Sequence, residues 1–398
     1  MRVLFSTTAG AGHFGPLVPF ARACAAAGHQ VAVAAPATFA EQVARAGFDH
    51  LPFADVPPEV LGDVFSRVAQ LSREEGNRVV ITEVFARLDA QAALPRLKAL
   101  MTEWAPDIVL RETCEFASMV AASRAGIPQV HVAIGMGRLG AMGEMLAEPL
   151  AELSALAGLS TARGQELLAG TATFTSVPEV LDREDGRSTD LPGPTGDQES
   201  RVWRFREGGA PGFGQLPTSW GRLADPLLYV TYGSVTATVA RFGSVYGDTL
   251  RALADLPVRV LMTTGEGLDS ATLEPVPGNA RVERWWPQAD VMPLAAAVVG
   301  HGGFGTTMAA LTAGVPQVVV PLFAYDQFVN ADRVAGAGAG VQLVGGPGAI
   351  DQLPSAVEKL LGEPTYREGA RAVAAEIAAL PDVATCPTVL EGLAGRRR

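Results

Sequence analysis

Cysteines and long apolar runs are both scarce in this sequence, and each shortage excludes a class of protein. The 398 residues include three cysteines, Cys24, Cys114 and Cys386, which are far apart and lack metal-ligand spacing. A disulfide framework or a structural zinc site is therefore not expected. No apolar stretch approaches the ~20 residues of a membrane span. The opening MRVLFS runs straight into a strand pattern without the features of a signal peptide. We expect a cytoplasmic protein with no membrane partner.

Basic residues are also fewer than acidic residues in this sequence. The formal net charge is −11, so that binding to nucleic acid or to an anionic membrane surface is not expected. An anionic ligand would need a local positive site, such as the N-terminus of a helix. Charged residues make up 18% and hydrophobic residues 48% of the chain, enough to bury two sizeable cores.

Short apolar runs alternate with helical segments in two parts of the chain, which predicts two parallel sheets, each buried on both faces. The predicted strands are Val3–Phe5, Val31–Ala35, Ile108–Leu110, Val130–Val132, Leu227–Thr231, Val258–Met262, Ala297–Gly300 and Gln317–Val320. The predicted helices include 16–27, 115–125, 304–313, 328–336 and 386–396. Between 182 and 222, breakers and charges predict an interdomain region with one short strand at Arg201–Phe205.

The segment His301-Gly-Gly-Phe-Gly-Thr-Thr307 joins a predicted strand to a predicted helix. Its glycines let a phosphate approach the backbone, where free N–H groups and the positive end of the helix dipole would face it. His301 can donate a ring N–H, and Thr306 and Thr307 can donate hydroxyls. The alternative is an ordinary strand–helix turn with a capping histidine, and this segment alone does not exclude it.

Two flanking motifs favour a ligand site. Trp285-Trp286-Pro287-Gln288 precedes the histidine segment, and Asp326-Gln327 follows the next predicted strand. Paired tryptophans usually belong to a core, but a Trp beside Pro-Gln in a strand–helix loop can stack on a base. An Asp-Gln pair just after a strand can bind sugar hydroxyls.

Together, W-x-P-Q, H-x-G-x-G-T-T, P-Q-x-x-x-P and D-Q-x-x-N-A resemble the donor-binding signature of the UDP-glycosyltransferase superfamily. The likeness covers nearly the whole chain and is greatest to bacterial antibiotic glycosyltransferases, such as those that decorate calicheamicin. It implies the GT-B fold, an α/β architecture of two Rossmann-like, doubly wound domains that face each other across a cleft. The implied acceptor domain, linker, donor domain and C-terminal helix, which packs back on the first domain, are 1–207, 208–222, 223–380 and 381–398.

The resemblance also implies a donor pocket. It contains a Trp stacked on the base, further residues around the base, a diphosphate site and a pair of sugar contacts. In that order, the matching residues are Trp285; Trp286 and Gln288; His301, Gly303, Thr306, Thr307 and Ser234; and Asp326 and Gln327.

One departure from the family pattern concerns the donor base and ribose. Many UDP-sugar enzymes of the family carry a Glu eight residues after the motif histidine, which holds the ribose hydroxyls. This chain has Ala309 there. A carboxylate aimed at a 2′-hydroxyl has little use for a 2′-deoxyribose, and the similar antibiotic enzymes use dTDP-sugars. We therefore expect a dTDP-sugar donor, with a UDP-sugar as the alternative.

In the first half, Gly10-Ala-Gly12-His13-Phe-Gly15 reads G-x-G-x-x-G after a strand. A dinucleotide site also requires an acidic residue at the end of the second strand, about 20 residues on. That strand ends at Pro36, and no acid occurs before Glu41. An NAD-dependent oxidoreductase is therefore the weaker alternative.

The better interpretation of this turn centres on His13. A neutral imidazole at the carboxyl edge of a sheet can take a proton from an acceptor hydroxyl if a carboxylate orients it. Glu112, just after the predicted strand Ile108–Leu110, corresponds to the Asp of the family's His–Asp dyad and is one methylene longer. The alternatives are a structural turn histidine and a salt bridge of Glu112 with Arg111 or Arg138.

The predicted enzyme is an inverting glycosyltransferase that needs no cofactor. No Asp-x-Asp occurs, which fits the metal-independence of the family. The segment Gly135–Met145 combines glycine with three methionines, which suits a large apolar acceptor such as a polyketide or aromatic aglycone, or else an ordinary helix-entry loop. A homodimer and a non-catalytic sugar-nucleotide-binding partner of an active transferase also stay open.

Overall fold

The computed structural model describes residues 1–137, 142–182, 202–208, 215–217, 220–239 and 242–395. Most of the predicted interdomain breakers, and also Arg138 and Arg201, lie outside these residues. Within them, no helix is long and apolar enough to cross a membrane.

The first domain contains a seven-stranded parallel sheet with the strand order β3-β2-β1-β4-β5-β6-β7. Its strands are β1 (Arg2–Ser6), β2 (Gln30–Pro36), β3 (Asp49–Phe53), β4 (Ile108–Glu112), β5 (Gln129–Val132), β6 (Ala172–Thr175) and β7 (Val202–Arg204). All five residues of the central strand β4 are buried, because helices cover both faces of the sheet.

The helices of this domain connect successive parallel strands. They are α1 (Ala11–Phe14), α2 (Val18–Ala26), α3 (Ala40–Ala46), α4 (Pro58–Val68), α5 (Arg73–Val79), a π-helix (Val80–Asp89), α6 (Ala90–Glu103), α7 (Ala117–Ala125), α8 (Ala147–Leu156) and α9 (Arg163–Gly170). The π-helix joins α5 to α6 without a break.

The second domain contains a six-stranded parallel sheet with the order β10-β9-β8-β11-β12-β13. Its strands are β8 (Leu227–Thr231), β9 (Arg259–Thr263), β10 (Ala280–Glu283), β11 (Ala297–Gly300), β12 (Gln317–Val319) and β13 (Gly340–Gln342). Its helices are α10 (Ser244–Leu253), α11 (Gln288–Val291), α12 (Phe304–Thr312), α13 (Tyr325–Gly336), α14 (Leu353–Gly362) and α15 (Pro364–Ala379).

The last helix, α16 (Cys386–Gly395), lies on the first domain rather than the second. Its Cys386 and Leu390 belong to the same apolar cluster as Phe20 and Cys24 of α2. The chain therefore crosses from the second domain back to the first after α15.

The structure confirms two parallel-sheet α/β domains and corrects several element boundaries. Strand β4 extends through Glu112, which ends the strand instead of following it. Helix α13 begins at Tyr325, so that Asp326 lies in its first turn and not in a loop. Strand β3 is a short edge strand, and its residues Asp49-His-Leu-Pro-Phe53 do not form an apolar run.

Candidate functional site

The carboxyl ends of both sheets carry residues that the sequence singled out. The strand order reverses between β1 and β4 in the first sheet and between β8 and β11 in the second. In parallel α/β sheets, ligands bind outside the carboxyl ends of the strands at such a reversal. His13 follows β1, Glu112 ends β4, Ser234 follows β8 and His301 follows β11. A cavity of about 1820 Å³ opens there and is lined by both domains.

His13 and Glu112 are in contact at the first of these reversals. Nδ1 of His13 lies 3.2 Å from Oε1 of Glu112. At this distance the two groups form a salt bridge whenever the imidazole is protonated. The ring packs against Phe85, with ring centroids 5.2 Å apart. Because Nδ1 faces Glu112, Nε2 is the nitrogen left for the cavity.

Glu112 is fully buried and is held in place by neighbours at the same sheet edge. Its carboxylate accepts hydrogen bonds from the backbone N–H and hydroxyl of Thr8, at 3.3 and 2.9 Å, and from the N–H of Cys114 at 2.6 Å. Burial opposes its ionisation, but the charge of His13 and these hydrogen bonds outweigh burial and lower the pKa of Glu112. The carboxylate is therefore ionised at neutral pH.

The pKa of His13 reflects the same balance. Burial lowers it, but the charge and hydrogen-bonding influence of Glu112, together with the charges of Asp326 and Asp89, raise it above the ordinary value of 6.5. A carboxylate behind an imidazole stabilises the imidazolium that forms when the ring takes a proton. The pair can thus act as a base toward a hydroxyl in the cavity.

Arg111 does not form the salt bridge with Glu112 that the sequence left open. Its buried guanidinium donates to the main-chain oxygens of Glu112 and Glu115, at 3.3 and 3.4 Å, and not to the Glu112 carboxylate. The other suggested partner, Arg138, lies outside the described residues. The carboxylate is thus directed at His13.

His301 stands at the start of the second histidine segment, between two glycines. A Cβ on Gly233 would lie 2.6 Å from the imidazole Cε1, and a Cβ on Gly303 would lie 2.5 Å from its Nε2. Both positions must be glycine for the ring to occupy this place. Burial lowers the pKa of His301 to about 4, so that the free ring is neutral and carries one N–H.

Helix α12 presents its N-terminus beside His301. Gly303 is the N-cap, and the first intrahelical bond runs from the Thr307 N–H to the Gly303 oxygen at 3.1 Å. The N–H groups before it are free to bind an anion. The Thr306 hydroxyl accepts a hydrogen bond from Gln288 at 2.9 Å. Thr307 is only 2% exposed, so that its side chain packs inside instead of facing the cavity.

The two adjacent tryptophans have different environments. Trp285 is 71% exposed, which leaves its ring open to a stacking partner. Trp286 donates its ring N–H to the Gln215 oxygen at 2.9 Å and packs on the same apolar cluster as Ala309. An exposed indole is costly to leave in water, so Trp285 is the better candidate for a base platform.

Asp326 and Gln327 lie in the first turn of α13, at the wall opposite His13. Burial raises the pKa of Asp326, while the charge of His13 opposes this rise. Gln327 accepts hydrogen bonds from the N–H groups of Leu322 and Phe323 with its side-chain oxygen, at 2.9 and 3.0 Å. Its amide N–H groups are therefore left for a ligand.

The structure brings only part of the predicted site together at the cavity. The predicted residues that line it are His13, Ser234, His301, Gly303, Asp326 and Gln327. Glu112 supports His13 from behind. Outside the lining are Trp285, Trp286, Gln288, Thr306 and Thr307, which lie around the N-termini of α11 and α12.

Asn330 is a site residue to which the sequence gave no role. Its side chain donates to the Gly302 oxygen at 2.8 Å and accepts from the Met136 N–H at 3.1 Å. It therefore ties the histidine segment of the second domain to the first domain. Its place in D-Q-x-x-N-A was the available signal, but nothing local specifies an interdomain contact.

Within the described parts of the chain, His13, Glu112 and Cys114 form a cluster of metal-ligating types, with ligand atoms within 4.8 Å of one another. The Glu112 oxygens are already used by Thr8, Cys114 and His13. We therefore assign these groups to the histidine–glutamate pair and not to an ion.

The suggested acceptor segment contributes to the cavity at both of its described ends. Gly135, Gly137 and Met142 of this segment line the cavity, as does Ile134 just before it, whereas 138–141 lie outside the described residues. A Cβ on Gly135 would lie 3.7 Å from the Asp326 side chain. This segment of the first domain therefore lies next to α13 of the second domain at the cavity.

Comparison with known proteins identifies the family of this chain. Residues 22–189 and 248–393 match the N-terminal and C-terminal domain models of "Erythromycin biosynthesis protein CIII-like" proteins. L-demethylnoviosyl transferase of Streptomyces niveus is 32% identical over 417 residues, covering 100% of this chain and 99% of that protein.

Two solved structures share the fold along nearly the whole chain. The calicheamicin glycosyltransferase CalG4 has a TM-score of 0.79 at 24% identity and covers 99% of this chain and 98% of its own. The glycosyltransferase VinC in complex with dTDP has a TM-score of 0.76 at 24% identity, with 100% of both chains covered. These matches favour a glycosyltransferase over the NAD-dependent oxidoreductase that was the weaker alternative for Gly10–Gly15. The chain belongs to the erythromycin biosynthesis protein CIII-like family and is a glycosyltransferase of GT-B fold.

Proposed function

We propose that this glycosyltransferase moves a sugar or deoxysugar from a dTDP-sugar to an apolar natural-product aglycone, such as a polyketide or an aromatic antibiotic, with inversion and without a metal ion. One observation carries the proposal: His13 with its Glu112, and His301 at the N-terminus of α12, reach the same cavity from opposite domains. A base that faces an anion site is what a direct displacement requires. Residues 1–207 then bind the acceptor and 223–380 the donor.

The donor diphosphate would bind at the second reversal. The neutral ring of His301, the free N–H groups of α12 and the exposed Ser234 can all donate hydrogen bonds to phosphate oxygens. Trp285 would stack on the thymine, and Asp326 and Gln327 would bind the sugar. Ala309 supports dTDP over UDP, because this position has no carboxylate that could accept a hydrogen bond from a ribose 2′-hydroxyl. The similar protein VinC was solved with dTDP.

The reaction follows from the two sides of the cavity. Nε2 of His13 takes the acceptor proton while the acceptor oxygen bonds to the anomeric carbon. The bond from this carbon to the diphosphate breaks, and dTDP leaves with the electron pair. Glu112 stabilises the imidazolium, and the α12 N-terminus and His301 stabilise the charge that develops on the leaving group. A single displacement inverts the anomeric centre.

The proposed metal-independence rests on the same hydrogen-bond donors at the diphosphate site. A metal ion would serve to neutralise the growing charge of the diphosphate. Backbone N–H groups, the helix dipole and the ring N–H of His301 supply this stabilisation here without a cation. Activity is expected to persist in the presence of a chelator.

A product assay tests the proposal. Purified protein is incubated with a panel of dTDP- and UDP-sugars and mixed polyketide and aromatic aglycones, with and without chelator, and the products are identified by mass spectrometry and their anomeric configuration by NMR. We expect inverted glycosides from dTDP-sugars. Retention of configuration, or a strict need for a divalent ion, contradicts the mechanism, and UDP binding at least as tight as dTDP binding contradicts the donor.

The variant His13→Ala separates binding from chemistry. We expect turnover to fall by about 10²–10⁴-fold, the usual contribution of a general base. The dissociation constant of dTDP, measured by calorimetry, should stay unchanged because His13 lies on the other wall. Near-normal turnover in this variant would remove His13 from the mechanism. Absence of single-turnover transfer by the wild type would favour a non-catalytic partner protein.

A further inference from the structure

A π-helix forms one wall of the cavity on the side of the first domain. Within Val80–Asp89, the residues Val80, Val84, Phe85 and Asp89 all line the cavity. In an α-helix of about 3.6 residues per turn, positions 80 and 89 would be two and a half turns apart and on opposite sides. Phe85 and Asp89, four positions apart, would share a face in either type of helix, and the wider i→i+5 turn of the π-helix brings Val80 to that face as well. The irregular helix thus places one carboxylate at the end of an apolar strip.

Asp89 has no hydrogen-bond or salt-bridge partner among the described residues. Within the described part of the chain, its carboxylate makes no hydrogen bond or salt bridge, and its interactions are long-range ones with His13, Glu112, Asp55 and Glu115. A partly buried carboxylate without a hydrogen-bond donor is costly. Because Asp89 faces the cavity and not the core, a ligand can provide the missing donor.

The apolar strip leads directly to the proposed base. Phe85, four positions before Asp89, packs on the ring of His13. A flat apolar acceptor that lies along Val80, Val84 and Phe85 would bring one hydroxyl to His13. A neighbouring polar group of the same acceptor would then reach Asp89.

We propose that Asp89 is an acceptor-recognition residue, which accepts a hydrogen bond from a second hydroxyl next to the one that His13 deprotonates. This inference rests on the proposed transfer to an apolar aglycone and states a feature that the aglycone must carry. A hydrogen bond to an ionised group is expected to change acceptor affinity by about 10–100-fold.

The pH dependence of acceptor binding gives a second readout. Burial raises the pKa of Asp89 to about 7, with Glu112, Asp55 and Glu115 adding to this rise and His13 opposing it. The carboxylate is present above this value and is lost as the pH falls below it. Affinity for a dihydroxy acceptor should therefore weaken between about pH 8 and about pH 6. Because the pKa of His13 also lies above 6.5, only the part of this change that Asp89→Asn abolishes is assigned to Asp89.

Two aromatic probes that differ by one hydroxyl test the proposal. Alizarin carries two neighbouring hydroxyls and 2-hydroxyanthraquinone carries one, so their affinity ratio measures the second hydroxyl. Binding to the dTDP-loaded enzyme is followed by fluorescence titration for wild type, Asp89→Ala, Asp89→Asn and Glu83→Gln. Glu83 is the matched control, because it lies on the same π-helix, pairs with Arg67 and does not line the cavity.

We expect wild type and Glu83→Gln to bind alizarin about 10–100-fold more tightly than the single-hydroxyl probe. Asp89→Ala should bind both equally. Asp89→Asn preserves the size and shape of the side chain and replaces the alanine variant if that variant unfolds. Its affinity for alizarin should lose the pH dependence that comes from the Asp89 carboxylate. Equal affinities in wild type, binding of neither probe, or a preference that persists in Asp89→Ala overturns the proposal. Failure of the proposed function is seen separately, as absent dTDP binding or absent sugar transfer by the wild type.

Discussion

Replacing Glu112 by glutamine removes one charge and keeps the shape of the side chain, which makes it a direct test of the proposed base. The carboxylate accepts hydrogen bonds from two groups of Thr8 and from the Cys114 N–H, and it contacts Nδ1 of His13. A glutamine side chain has one oxygen and an NH₂ group that can only donate. At least one of these donors, or the N–H of His13, would then face another donor.

The expected loss of turnover is large, because His13 loses both its orientation and its counter-charge. A general base contributes about 10²–10⁴-fold. Replacement of the orienting Asp by Asn in the Ser-His-Asp triad costs about 10⁴-fold. We therefore expect turnover of Glu112→Gln to fall by about 10²–10⁴-fold. Binding of dTDP should be unchanged, since the pair lies on the other wall of the cavity.

The pH profile should move as well. In the wild type the pKa of His13 lies above 6.5, so that turnover falls as the pH drops through a midpoint above that value. Without the carboxylate, burial is the dominant influence and lowers the pKa of His13. In the pH–rate profile of Glu112→Gln, the fall of turnover on the acid side should therefore occur at lower pH than in the wild type. The maximal turnover of the variant should also be lower.

Initial rates of product formation, followed chromatographically between about pH 5 and pH 9, measure both effects. Glu115→Gln is the matched control: Glu115 is also buried beside β4, but it accepts hydrogen bonds from Ser118 and does not contact His13. This control should keep the acid limb of the wild type. A folded Glu112→Gln variant with wild-type turnover and an unshifted acid limb would refute the reasoning.

Three further predictions concern the donor pocket and the fold. Gly303→Ala puts a Cβ 2.5 Å from Nε2 of His301 and should weaken dTDP binding by about 10-fold or more. Gly362→Ala in α14, where a new Cβ meets open space away from the cavity, should bind dTDP as the wild type does in the same calorimetric titration. Trp285→Ala should weaken dTDP binding by about 1–3 kcal/mol through lost stacking. The melting temperature should not change, because the ring is exposed. Binding of dTDP as tight as in the wild type would show that Trp285 does not stack on the base. Leu390→Ala leaves a cavity between α16 and the first domain and should lower the free energy of unfolding by about 2–5 kcal/mol in urea; an unaffected midpoint would mean that α16 does not stabilise that domain.

Local sequence patterns determined a large part of this structure. Buried strands of a parallel sheet are apolar on both faces, so that Leu227–Thr231 and Ala297–Gly300 could be located without tertiary information. The turn at His301–Thr307 was also predictable, since glycines between an apolar strand and a helix indicate a turn. Boundaries were less certain where packing extends a helix, as at Tyr325.

The pairing of distant residues was decided by the tertiary structure. Thr8 and Glu112 are 104 positions apart and meet only because β1 and β4 are neighbours in the sheet. No local pattern sets this strand order. The same holds for Asn330, whose side chain joins two domains, and for α16, which returns to α2.

The sequence by itself determined the two α/β domains, the glycine-rich segments that carry His13 and His301, and the family, because each depends on residues close together in the chain. Only the tertiary structure decided that both segments open on one cavity, that His13 lies in the short helix α1 and not in a turn, and that Glu112 contacts His13. It also decided that Val80–Asp89 forms a π-helix along the same cavity, because the type of a helix is set by packing and not by composition.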